Sequence, residues 1–148
     1  MYFKAMFDQG SIPVLEKVIS FCEQRNRVIA NNIANVDTPH YRRRDLPVAE
    51  FRAQLSSAIA HREKNNPRLF SFEPGKNVVP NALGGVNARQ IVEPLNRNGY
   101  LRHDDNSVSI DREMAELSKN TLLHNAMVQI LVKEFGMMQT AISEKVVK

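Results

Sequence analysis

Four histidines, His40, His61, His103 and His124, are the side chains best suited to move a proton near neutral pH or to ligate a metal. They are widely spaced, and none belongs to a His-Glu-x-x-His or Cys/His pattern. Asp104-Asp105 and Asp111-x-Glu113 are acidic pairs. As a cation site they lack further ligands, whereas a turn and the first turn of a helix explain them well. No glycine-rich loop follows a strand-like run, so no phosphate cradle is legible. Cys22 is the single cysteine, which excludes an intrachain disulfide and a redox pair; it lies on an apolar stripe, where a thiol is buried and inert. Arg42, Arg43 and Arg44 form the one basic tract of a chain with formal net charge +4. A nucleic-acid binder concentrates its charge on one face or tract; this short run either lines a contact or faces water, and the solvated reading is favoured. The reactive residues therefore point away from catalysis, metals, cofactors and nucleic acid.

The elements that carry these residues are more informative. At 148 residues the chain reads as one domain, 1–148. No window is apolar for long enough to span a membrane, and MYFKAMFDQGSIP lacks the unbroken apolar core of a secretory signal. Ile110, Met114, Leu117, Thr121, His124, Val128, Leu131, Phe135, Met138 and Ile142 step by four and three without a break, a heptad seam within a helix over 109–143. Ser109 is a candidate N-cap. A second stripe through Leu123, Met127, Ile130, Met137 and Ala141 widens the apolar face beyond a two-helix seam. A helix over 12–36 mirrors it: Leu15, Ile19, Cys22, Asn26, Ile29, Ile33 and Val36 repeat the same steps, and Val14, Val18, Phe21 and Val28 broaden them. Asn26 is either a register-fixing polar residue in that seam or a surface residue at its edge.

The two seams are expected to pair, with antiparallel orientation favoured. Asp45-Leu46-Pro47 opens a short third helix over 45–62, with Val48, Phe51, Leu55 and Ile59 on one face. From 65 to 106, sixteen of forty-two residues are Asn, Gly or Pro, which favours a loop-rich middle. Brief strands there are expected at most around Leu69 to Phe72, Val78-Val79 and Gln90 to Val92. The fold class is mainly α: long terminal helices in a coiled-coil-like bundle, a short helix and a loop-rich middle.

Between the first and third of these helices lies NNIANVDTPHYRRRD, residues 31–45. Physically it is a helix exit, finishing near Asn35 to Asp37. Asn and Asp tolerate left-handed backbone and bond their own main chain, and Pro39 disfavours helical geometry at Thr38. Tyr41 is placed to fold back over the end of the seam. An exit needs one or two such residues; the surplus implies side chains that meet partners of defined geometry.

The stretch Asn32-Ile33-Ala34-Asn35-Val36-Asp37-Thr38-Pro39-His40-Tyr41 resembles the N-terminal signature of bacterial flagellar axial proteins, the rod and hook family. The short length and the tail Ile110-Asp111-Arg112-Glu113-Met114-Ala115-Glu116-Leu117 resemble the proximal rod member. The resemblance covers roughly 12–62 and 106–143. It implies a structural subunit of the basal-body rod that assembles helically and transmits torque. The assembly motif is Asn32, Ile33, Ala34, Asn35, Asp37, Thr38, Pro39 and Tyr41. The helix seams are Leu15, Ile19, Ile29, Ile33, Met114, Leu117, Val128, Leu131, Phe135 and Met138. It implies a periplasmic rod location, reached through the type III apparatus without a cleaved signal, with Phe3 and Phe7 as the export signal. The partners implied are other copies, the rod proteins FlgC and FlgF, FliE, the MS-ring and the export apparatus. Two alternatives stay open: the rod protein FlgC itself, or an unrelated helical adaptor of closed symmetry. The chain departs from the family at His40, where glycine is usual and a positive φ is implied. His124 stands where an aromatic is common and reads as seam packing.

Overall fold

A computed structural model describes residues 10–65, 70–94 and 105–143. Its architecture is mainly helical, with three helices and four brief strands among the described residues. The elements run α1 (Ile12–Ala34), β1 (Arg44–Asp45), α2 (Val48–Asn65), β2 (Val78–Pro80), β3 (Val86–Ala88), β4 (Ile91–Val92) and α3 (Ile110–Ser143). β1 pairs antiparallel with β4, joining Arg44 to Val92, and β2 pairs antiparallel with β3, joining Val79 to Asn87.

α1 is central because it is apolar on two sides. Pro13 sits in its first turn, where the missing amide costs nothing. One side packs along α3. The other carries Phe21 and Val28 into the main core with Leu46, Phe51, Ala58, Phe72, Val78 and Val86. There the Phe21 and Phe51 rings stack with centroids 4.1 Å apart. Val28, expected to widen the α1 stripe, thus serves α2 and the hairpin rather than α3.

Polar side chains of α1 hold the β2–β3 hairpin. Ser20 Oγ accepts from the Val86 amide at 3.2 Å, and Gln24 Oε1 accepts from the Ala88 amide at 3.0 Å. These bonds satisfy a strand edge that would otherwise stay unpaired. Lys17 Nζ donates to the Gly84 and Gly85 carbonyls at 2.6 and 3.2 Å, and burial pulls its pKa below the ordinary lysine value despite the nearby Glu16.

α1 and α3 run antiparallel: Ser11 meets Glu134, Asn26 meets Asn120, and Asn32 meets Glu113. Asn120 Nδ2 donates to Asn26 Oδ1 at 2.7 Å and to the Cys22 carbonyl at 2.8 Å. Asn26 is therefore a residue of the helix interface, paired across it. The phase of the α3 seam differs from expectation near its start. Ile110 and Met114 are 48% and 50% exposed, and the places facing α1 are taken by buried Glu113 and Asn120. Hydrophobic periodicity could not show this, because polar residues with partners fill the interface there. The other differences are local. The short helix spans Val48–Asn65, Phe70 to Phe72 is not a strand, and the β3 strand was not expected. Phe3, Phe7 and Leu69 lie outside the described residues.

Candidate assembly site

The exit of α1 folds into a bracket around the start of α3. Ala34 ends the helix, and the Asn35 amide closes it onto the Asn31 and Asn32 carbonyls at 3.2 Å each. Asn35 Nδ2 donates to the Asn31 carbonyl at 2.7 Å, and Thr38 Oγ1 donates to Asn35 Oδ1 at 3.2 Å. The remaining carbonyls are capped from afar. Asn106, fully buried, donates through Nδ2 to the Asn35, Val36 and Thr38 carbonyls at 3.0, 2.9 and 2.8 Å. A helix end buried in this way needs such partners.

His40 carries a φ of +61°, so the usual glycine of the family is replaced by a side chain in the left-handed region. Its Nδ1 lies 3.5 Å from Oδ2 of Asp105, itself at φ +58°. Both side chains are exposed.

Asn32 is the hinge of the bracket, with no exposed surface. Its Nδ2 donates to the Arg44 carbonyl at 2.7 Å and to Glu113 Oε2 at 2.8 Å. Its Oδ1 accepts from Tyr41 Oη at 3.2 Å and from the Arg44 amide at 3.1 Å. All four hydrogen-bonding positions of the amide are used. Tyr41 thus folds back onto the end of α1 through its hydroxyl.

Arg43 corrects the solvated reading of the basic tract. It is 2% exposed, and its Nε donates to Glu113 Oε1, Nη1 to Glu93 Oε2 at 2.8 Å, and Nη2 to Asp45 Oδ2 at 3.4 Å. Arg44 alone of the three is well exposed, and Arg42 is half-buried. The network extends through Arg25, which grips Asp45 with two bonds of 3.0 and 2.9 Å and reaches Glu116 at 3.0 Å. Arg112 adds a second cation to Glu93 at 3.1 Å. Burial alone would raise the carboxyl pKa values of Asp45, Glu93 and Glu116. Bonds and charge from Arg25 at Asp45, from Arg43 and Arg112 at Glu93, and from Lys119 and Arg25 at Glu116 outweigh it, so all three lie below the ordinary range. Burial weighs against the charged Arg25 and Arg43 too, yet their carboxylate partners hold both above the usual arginine value.

The predicted motif therefore divides. Asn32 and Tyr41 face inward, Ile33 and Asn35 are half-buried, and Ala34, Asp37, Thr38 and Pro39 form an exposed rim with His40. Of the predicted seams, Leu15 and Ile29 are buried, Ile19, Ile33, Leu117, Val128, Leu131 and Met138 are half-buried, and Met114 and Phe135 are 50% and 42% exposed. Sequence reasoning missed Arg43, Asn106 and the inward turn of Glu113. For Glu113 a signal existed: it lies in the tail that resembles the flagellar family, and the two resembling stretches meet at the bond between Asn32 and Glu113.

The chain matches the family model "Flagella basal body rod protein" over residues 23–42. It is similar to the flagellar basal body rod protein FlgB of Bacillus subtilis, at 28% identity over 90% of this chain and 94% of that protein. It is similar to FlgB of Aquifex aeolicus, at 29% over 76% and 77%, and to FlgB of Cereibacter sphaeroides, at 31% over 81% and 84%.

Proposed function

From the premise that this chain belongs to the FlgB family of flagellar basal-body rod proteins, we propose that its α1–α3 pair is the element through which it assembles, with neighbouring subunits covering the outer face of α3. The family is structural and not enzymatic, and the chain is a subunit of the flagellar basal-body rod that associates with other rod components and serves motility. Similarity to FlgB over most of the chain leaves the FlgC alternative without support.

The observation that carries the proposal is the second stripe of α3. Leu123, Ile130 and Met137 recur at heptad spacing and stay 42%, 42% and 51% exposed while the adjacent face meets α1. Apolar surface contributes about 25 cal/mol per Å² when removed from water, so a continuous stripe has much to gain from a neighbour. Contacts between unlike faces build an open helical filament where the rotation between subunits does not close, in keeping with a helical rod whose inner layer is a coiled-coil-like array of terminal helices. The exposed rim of the α1 exit, Ala34, Asp37, Thr38 and Pro39, is the adjoining contact. In this reading the subunit lies in the proximal, periplasmic rod and transmits torque. It arrives through the type III apparatus without a cleaved signal, with Phe3 and Phe7 read during export. Its neighbours are copies of itself, FlgC, FlgF, FliE and the MS-ring. Among the described residues no helix is long and apolar enough to cross a membrane.

The test is a double substitution, Leu123→Glu with Ile130→Glu. Both sites are exposed, so the stability of the purified chain should change by no more than about 0.5 kcal/mol per site. Cells carrying it should keep the protein, lose the rod and stop swimming. Normal rods would overturn the proposal.

A further inference from the structure

The tip of the β2–β3 hairpin holds one apolar side chain out on a rigid mount. Leu83 is 93% exposed, and no other large apolar residue among the described ones is as open to solvent. The turn beneath it is well fastened. Asn81 Oδ1 accepts from the Leu83 and Gly85 amides at 3.0 and 2.9 Å, and the Asn81 amide donates to the Gly85 carbonyl at 3.1 Å. From α1, Lys17 Nζ reaches the Gly84 and Gly85 carbonyls and lies 5.8 Å from the centroid of the Phe72 ring. Gly84, at φ +87°, and Gly85 let the turn lie directly on α1. A Cβ would stand 2.7 Å from Glu16 Oε2 at the first and 2.5 Å from Ser20 Oγ at the second. Burying a lysine is a costly way to brace a turn. What the brace yields is a leucine whose backbone has little freedom left to lose on binding, as an interface anchor requires.

The same chain carries a recess of matching character. Between α2 and the strap formed by residues 71–76 lies an open hollow of about 450 Å³ with a mostly apolar surface. Ala53, Ser57 and Ala58 line it from the helix, and Pro74 and Gly75 from the strap. The strap is fixed. Glu50 accepts from the Asn77 amide and from Asn77 Nδ2 at 2.7 and 2.8 Å, and Gly75 sits so close to α2 that a Cβ would overlap Gln54 Nε2. Leu83 is not among the lining residues, and at its exposure it fills no hollow of its own chain. An apolar projection and an apolar recess on different elements satisfy each other between copies, and joined head to tail they run on from one copy to the next. Charge agrees. Glu16 is exposed beside the turn, and Lys76 is exposed at the hollow. The acids of the hollow, Glu50 and Glu73, are engaged by Asn77 and Ser71.

We propose that the hairpin tip is a further contact between subunits, in which Leu83 of one copy seats in the α2 hollow of the next. The inference rests on the rod reading above, but not on the outer stripe of α3, which belongs to another element.

Cysteine pairs in the full chain, oxidised in assembled basal bodies, test it; Cys22 is buried and stays in place. Ala82→Cys keeps the leucine and puts a thiol beside it. Combined with Ser57→Cys it should cross-link copies into a ladder of dimers, trimers and longer species. The ladder should form at least about tenfold faster than with Ala82→Cys and Ser56→Cys, because Ser56 lines a different groove of α2. A ladder arises when each copy offers one cysteine forward and one back. Dimers alone, cross-links only to another rod protein, or equal rates overturn the proposal. The companion variants are Leu83→Met and Leu83→Glu, both of which should leave the urea midpoint of the purified chain unchanged. The first should preserve rods, and the second should lower the number of rods per cell at least about fivefold. Normal rods with Leu83→Glu overturn this contact alone, whereas normal swimming in a strain lacking the whole chain overturns the rod reading and this contact with it.

Discussion

At the scale of single residues, the site depends on groups whose hydrogen bonding is complete. Asn32 uses both amide hydrogens and both lone pairs on partners from two other segments, so few substitutions can replace it. Asn32→Ala should cost about 3 kcal/mol in a urea unfolding curve, because it strands buried acceptors and donors together. Asn32→Asp should cost more despite its matching shape, since it places a carboxylate against Glu113; equal losses would refute this account of the amide. His40 makes the opposite case. An L-residue at φ +61° is strained, so His40→Gly should stabilise the chain by about 0.5–1 kcal/mol after the entropy of glycine is subtracted. Loss of stability on that change would mean that the contact with Asp105 outweighs the strain. The return of Tyr41 onto the end of α1 was legible, because the seam ends there and the next aromatic is placed to cover it. Arg43 was not legible. Three successive arginines carry nothing that says which is buried, and its partners Glu93 and Glu113 are remote in sequence.

At the scale of elements, one ionic network ties α1, β1, the residue after β4 and the first turns of α3 together. The carboxyls of Asp45, Glu93 and Glu116 lie below their ordinary pKa. A carboxyl depressed by folding lends stability that is fully present above the unfolded value, about 4, and is lost as pH falls through the lower folded value. The urea midpoint should therefore be level in its carboxylate contribution above about pH 5 and fall steeply below about pH 4. Asp45→Asn should cost about 1–2 kcal/mol at pH 7, discounted because the side chain is 22% exposed, and should make the acid limb shallower. An unchanged acid limb would remove Asp45 from the network's titration. The helices themselves were legible, since periods of three and four sustained over many turns have no other reading. What the period could not reveal was its phase at Met114. Periodicity scores apolar residues, and here the interface is polar, with Glu113 and Asn120 satisfied from α1 and the chain just beyond it. The β3 strand was hidden for a related reason: its edge is completed by Ser20 and Gln24, side chains of a helix.

At the scale of the whole molecule, α1 is shared between two unlike interfaces. Toward α2 and the hairpin it offers stacked aromatics and aliphatic side chains; toward α3 it offers buried amides and ion pairs as much as apolar contact. The two interfaces should fail differently. Phe21→Ala opens a cavity beside Phe51 and should cost about 3–5 kcal/mol, accelerating amide exchange in α2, the hairpin and α3 together, because Phe21 lies in the core shared with α2 and the hairpin and α3 packs along the same helix. Asn120→Ala removes the bonds to Cys22 and Asn26 and should cost about 1–2 kcal/mol, with faster exchange confined to α3. Uniform acceleration in both variants would show one cooperative unit in place of a core and an attached helix. The distinction bears on the rod. A helix held by satisfied polar contacts keeps its register and angle, while its exposed outer stripe stays available to neighbours. If α3 proves separable in this way, subunit contacts along Leu123, Ile130 and Met137 would also stabilise the fold of each subunit, and chains in the assembled rod should lose the separate opening of α3 seen in the free chain.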